Sequence, residues 1–139
     1  MVHNKGVYMK DYEIVPAEDK WVKNAINTLA EDVKTANRRW WIDIHTGEPL
    51  KRNKGEMLML IVSEIAEAME GERKDLMDDH LPTRKMAEVE LADAVIRILD
   101  YCAAHDYDLG GAFVEKMRYN ATRKDHTHEE RLKPGGKKF

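Results

Sequence analysis

The chain has 139 residues, 42% of them hydrophobic and 35% charged, a balance that marks a soluble globular chain and excludes a disordered or membrane-embedded one. Lys and Arg number 23 against 26 Asp and Glu, for a net charge of −3, so there is no overall attraction for polymeric nucleic acid or an anionic membrane. With no composition shift or long linker, one domain over residues 1–139 is expected, its core at about 18–124.

The longest unbroken apolar run, Met57 to Val62, is far short of the roughly 20 residues of a membrane span. The polar start MVHNKG carries no signal-peptide pattern. A cytoplasmic location follows, and the single cysteine, Cys102, fits it as a small core residue among apolar neighbours. A lone chain of this size buries only about two thirds of its unfolded surface, so a homo-oligomer, dimer or tetramer, is expected.

Residues 1–16 show little periodicity and end at Pro16, after which Ala17-Glu18-Asp19 suits the first turn of a helix. Trp21, Ala25, Ile26, Leu29, Val33 and Ala36 then recur at helical spacing, predicting a first helix to about Arg39, closed by Trp40 and Trp41. Thr46-Gly47-Glu48-Pro49 marks a loop between Ile42 and Arg52. A second helix is predicted from about Gly55 to Glu72, with an acidic stripe at Glu64, Glu67 and Glu70. A third is predicted from Thr83, read as its N-cap, to His105. Leu91, Ala92, Val95, Ile96, Ile98, Leu99 and Cys102 cover most of its circumference, leaving one polar line at Glu90, Asp93, Arg97 and Asp100. After Asp108-Leu109-Gly110-Gly111 a fourth helix carries Phe113, Val114, Met117 and Ala121, followed by a flexible polar tail. No segment has strand periodicity, so the fold class is all-α.

Residues three apart on a helix are separated by about 300° of rotation. Glu64 and Glu67 therefore share one face, and Glu90 and Asp93 another. Both helices are otherwise largely apolar, which places their carboxylates inside. Burying four anions together is prohibitive unless cations compensate them. Oxygen-only ligands favour Mg2+, for which Mn2+ can substitute, over zinc, and Mg2+ commonly shares its coordination with substrate phosphates. Either acidic pair alone is a commonplace solvated helix face; it is their joint placement on apolar helices that points to metal and phosphate chemistry.

The segments SEIAEAMEG, with Glu64 and Glu67, and EVELADAVIRILD, with Glu90 and Asp93, together resemble the E-x-x-E and E-x-x-D pattern of the MazG-like family of all-α NTP pyrophosphatases. Upstream, ANRRWWIDIHTGEPLKRNKGEMLMLIVSE is similar to that family's aromatic and basic approach to its first metal helix. Downstream, EKMRYNATRK is similar to the lysine and asparagine of its last helix. The resemblance implies a four-helix-bundle-like, oligomeric fold and a nucleotide-pool housecleaning enzyme that hydrolyses a nucleoside triphosphate, ribo or deoxy, to the monophosphate and pyrophosphate. It also implies Mg2+ held by Glu64, Glu67, Glu90 and Asp93, with Glu64 or Glu67 orienting the attacking water or accepting its proton. Phosphate donors are sought among Lys54, Arg97, Lys116, Asn120, Arg123 and Lys124. For the base, Trp40, Trp41 and His45 stand in the matching place with Asn37 as a hydrogen-bonding neighbour; one tryptophan is expected to plug the core instead.

Other functions compete with this one. A non-catalytic helical interaction module would use the acidic residues to pair with a partner and would need no magnesium. Helical pyrophosphohydrolases acting on dUTP or phosphoribosyl-ATP share the same metal logic, so fold and metal leave the substrate open. His126 and His128 in the tail could suggest a transition-metal site, and Lys51-Arg52 or Lys137-Lys138 a nucleic-acid patch. A flexible tail and the negative net charge speak against both.

Overall fold

A computed structural model describes residues 16–138. The aperiodic lead-in over residues 1–15 and the first-turn role of Glu18 lie outside what is described. The described residues form α1 (Pro16–Ala36), α2 (Lys54–Lys74), α3 (Met86–Ala104), α4 (Leu109–Thr122) and α5 (His128–Leu132), with 3-10 turns at Arg38–Trp41 and Lys124–His126. Among them, extended pairing is limited to two isolated bridges, Ile42 with Pro49 and Met77 with Lys85. The described residues are all-α. No described helix is long and apolar enough to cross a membrane.

The described residues divide into two compact units, Ala25–Leu109 and residues 16–24 with 110–138. In the first, Met57 near the start of α2 packs on Tyr101 and Cys102 near the end of α3. At the other end of α2, Gly71 lies against Met86 and Ala87 at the start of α3. The two helices therefore run antiparallel. The Asn53 side chain caps α2 by accepting from Glu56 N at 3.1 Å. Asp75 ends it in the left-handed region at φ 52°, its N–H bonded to Glu72 and Gly71.

The connection back to α3 is held by Asp78, which is buried. Its Oδ1 accepts from His80 N at 3.0 Å and Leu81 N at 2.6 Å. The Met77–Lys85 bridge keeps Lys85 extended, so α3 starts at Met86 rather than at Thr83. In the same way α1 stops at Ala36 rather than Arg39, because Asn37 leaves helical geometry and the Arg38–Trp41 turn follows. The loop after it is closed by Asp43, whose carboxylate accepts from His45 N, Thr46 N and the Thr46 hydroxyl, with Gly47 at φ 73°.

Ile26, Ala30 and Val33 of α1 cluster with Leu99 and Ala103 of α3 and with Leu109, and Lys34 Nζ donates to the Ala103 carbonyl at 3.0 Å. Gly71 is the tightest point of the α2–α3 contact. A Cβ there would lie 3.0 Å from both the Ala87 backbone nitrogen and Met86 Cβ. Alanine normally gains in a helix, but here the backbone cannot yield. Gly71→Ala is expected to destabilise the protein by about 1–3 kcal/mol, measurable as a lower denaturant midpoint with unchanged slope.

The second unit pairs the buried Asp19 of α1 with Arg118 of α4. The tail is ordered by local bonds where only a flexible segment was expected. Thr127 caps α5 by accepting from Glu130 N, Arg123 and Lys137 both pair with Asp125, and Arg131 donates to the Lys137 and Lys138 carbonyls.

One expectation is corrected by the packing. The apolar residues of α2 and α3 are not buried all round: Leu58, Met59, Val62, Ile65, Met69, Leu91 and Val95 are each at least 45% exposed. The single chain covers the side of α2 and α3 that carries Glu64 and Glu90 and leaves this apolar surface open.

Candidate metal centre and adjoining cavity

The antiparallel register of α2 and α3 brings the two acidic pairs together. One carboxylate oxygen from each of Glu64, Glu90 and Asp93 lies within 4.8 Å of the other two. Glu64 is 7% and Glu90 9% exposed, while Asp93 is open to solvent. Glu67 is exposed as well and falls outside this group of three, yet it is near enough to repel the charge on Glu90.

Burial raises the Glu90 pKa from 4.5 to about 7, helped by a hydrogen bond to Glu64 and by the negative charges of Glu67, Glu64 and Asp93. On the far side Arg97 Nε donates to Glu64 Oε1 at 2.6 Å. Thus one glutamate leans on a guanidinium and the other retains its proton to near neutrality. Arg97 balances one carboxylate, and the raised Glu90 pKa marks the acidic charge that remains. Three carboxylates offering oxygen donors alone could hold a metal ion, and such donors suit a hard cation.

Beside these carboxylates, within the same unit, is a cavity of about 340 Å3 lined by Asn37, Trp40, Arg52, Met57, Leu60, Asp93, Ile96, Arg97 and Asp100. Asp93 and Arg97 thus border both the acidic cluster and the cavity. The volume falls at the low end of the roughly 300–1,000 Å3 of small-molecule sites. Trp40 is 58% exposed along its wall, with the Arg39 guanidinium 5.3 Å from its ring centroid. Trp41 turns inward, packs on Met57, Tyr101 and Cys102 and donates its indole N–H to Asp100 Oδ2 at 3.0 Å. The neighbouring tryptophans thus divide into a core residue and a cavity residue.

Other residues singled out in the sequence are not among those that line this cavity. His45 is exposed on the Asp43 turn, and Lys54 Nζ sits 5.8 Å from the Tyr107 ring centroid; neither lines the cavity. Lys116, Asn120, Arg123 and Lys124 belong to the second unit. There Lys116 lies over Tyr119, Arg123 is bonded to Asp125, Lys124 opens a 3-10 turn, and Asn120 Oδ1 is buried without a partner. Cys102 is buried with its thiol pKa raised by desolvation, which suits a core role rather than a nucleophile. Sequence reasoning did not assign Arg52, Met57, Leu60, Ile96 or Asp100 to a site. For Asp100 the signal existed, since it extends the polar line of α3.

No family model, curated protein or solved structure matches the chain.

Proposed function

We propose that this protein is a Mg2+-dependent nucleoside triphosphate pyrophosphohydrolase of MazG-like type, releasing pyrophosphate and a monophosphate. The observation that carries it is the convergence of Glu64, Glu90 and Asp93 on the edge of a cavity walled by Trp40, Asn37, Arg52 and Arg97. Bound there, a divalent cation supplies neutralisation of phosphate charge and activation of a water. Glu64, Glu90 and Asp93 hold it, with Glu67 completing the set through a rotamer change its exposure permits. Glu64 or Glu67 accepts the proton of the attacking water. Arg97, hydrogen-bonded to Glu64 and also on the cavity wall, is placed to donate to a phosphate oxygen. Trp40 offers its exposed ring as a stacking surface for the base.

The open apolar residues of α2 and α3 support a homodimer or homotetramer in which a second copy covers them. They equally favour an interaction module without catalysis, and the two readings separate on magnesium. A panel of ribo- and deoxynucleoside triphosphates, including dUTP, is expected to yield pyrophosphate and monophosphate in equal amounts with Mg2+ and nothing in chelator. Orthophosphate release, or no release from any nucleotide, rejects the enzyme as proposed. Light scattering on the same sample gives the copy number.

A further inference from the structure

Asp100 is 8% exposed on the wall of the cavity. An ionised carboxylate can accept about four hydrogen bonds. Here Oδ2 accepts one, from Trp41, and Oδ1 has no partner. Neither guanidinium on the cavity wall supplies that bond: Arg52 donates to the Trp40 carbonyl at 3.2 Å and Arg97 to Glu64. If Asp100 served only to orient Trp41, a neutral amide would do so without the cost of burying an under-bonded anion. Rotation about the Cβ–Cγ bond of aspartate is soft, so one oxygen can keep the indole while the other meets a donor that enters the cavity.

Resting on the reading of this cavity as a nucleotide site, we propose that Asp100 determines base specificity: it accepts a hydrogen bond from the exocyclic amino group of a nucleobase, favouring cytosine, adenine and guanine over uracil and thymine. An amino group projects its hydrogens from the corner of the ring, where a recessed carboxylate oxygen can reach one of them. Uracil and thymine offer only the ring N3–H on the corresponding edge, flanked by two carbonyl oxygens that a carboxylate repels. Trp40 tolerates any base by stacking, which leaves Asp100 to choose among them.

Equilibrium binding of the monophosphates dCMP, dAMP, dGMP, dTMP and dUMP, measured calorimetrically with Mg2+, tests this without requiring turnover. The wild-type protein is expected to bind the three amino-bearing nucleotides at least about tenfold more tightly than dTMP and dUMP. Asp100→Asn retains the acceptor for Trp41 and turns an NH2 toward the cavity, so the preference should move toward dTMP and dUMP, whose O4 accepts. Equal binding of all five by the wild type overturns the assignment, as does an unchanged preference in Asp100→Asn or the absence of binding by any of them. Pyrophosphate release by the wild type from all triphosphates at equal rates would remove Asp100 as the selector and leave the magnesium-dependent reaction standing. No release from any of them would remove the reaction itself.

Discussion

Glu64→Gln is expected to lower magnesium-dependent pyrophosphate release by at least about 1,000-fold while leaving the helical content unchanged. Charge neutralisation by a bound cation is worth several kcal/mol of transition-state stabilisation, and each 1.4 kcal/mol is about tenfold in rate. The amide retains the shape of the buried side chain, and its oxygen can still accept from Arg97 Nε, now 2.6 Å from Glu64 Oε1, so the α2–α3 packing survives. What disappears is the central charge of the cluster. Asp93→Asn should behave in the same way, and because Asp93 is exposed its loss costs the fold even less. Both variants also remove a negative charge that bears on Glu90, so the Glu90 pKa should move back toward 4.5, observable by carboxyl-region NMR of the metal-free protein. A variant that retains full magnesium-dependent turnover removes its residue from the mechanism. A Glu90 titration still near 7 in both variants would mean that the four side chains do not share one electrostatic neighbourhood.

Much of α2 and α3 is legible in the sequence because their apolar residues follow helical spacing and their acids stand three apart on one face. Antiparallel pairing of two such helices is then enough to bring Glu64 to Glu90 and Asp93. The pairing of Arg97 with Glu64 is a different matter, since the residues are 33 positions apart and their contact depends on the axial register set by Gly71 and the Asp78 turn. The start of α3 at Met86 rather than Thr83 has a related reason. Thr83 has the chemistry of a cap, but the bridge from Met77 to Lys85 outcompetes it by holding the preceding residues extended. Sequence periodicity also counts apolar positions without saying which molecule covers them, and this is why helices that look buried on every side leave Val62, Ile65 and Val95 exposed in one copy. Asp100 and Trp41 show the remaining limit: each is ordinary alone, and only their hydrogen bond reveals a carboxylate with acceptor capacity to spare.

Without a divalent cation, the protein is expected to lose stability as pH rises from about 4.5 to about 7, the reverse of the trend given by carboxylates in salt bridges. Glu90 has its pKa raised from 4.5 to about 7 by burial and by its acidic neighbours, so in this window the folded state retains a proton that the unfolded chain has released. Stability falls with pH wherever the folded state binds more protons. At about 1.4 kcal/mol per pKa unit the loss amounts to about 3 kcal/mol, on the order of 10 °C in midpoint for a domain of this size. The carboxyls of Asp43, Asp75 and Asp125 lie below their usual value of 3.8, so their contributions vanish only at more acid pH and leave the window to Glu90. Magnesium should invert the slope, because ligation requires the deprotonated carboxylate and binding to the folded state adds stability as pH rises. Thermal melts from pH 4.5 to 8 in chelator and in excess Mg2+ are therefore expected to cross, and Glu90→Gln should abolish the slope in chelator together with the magnesium response. Parallel melts in the two conditions, or a Glu90→Gln variant that retains the magnesium shift, would separate Glu90 from cation binding.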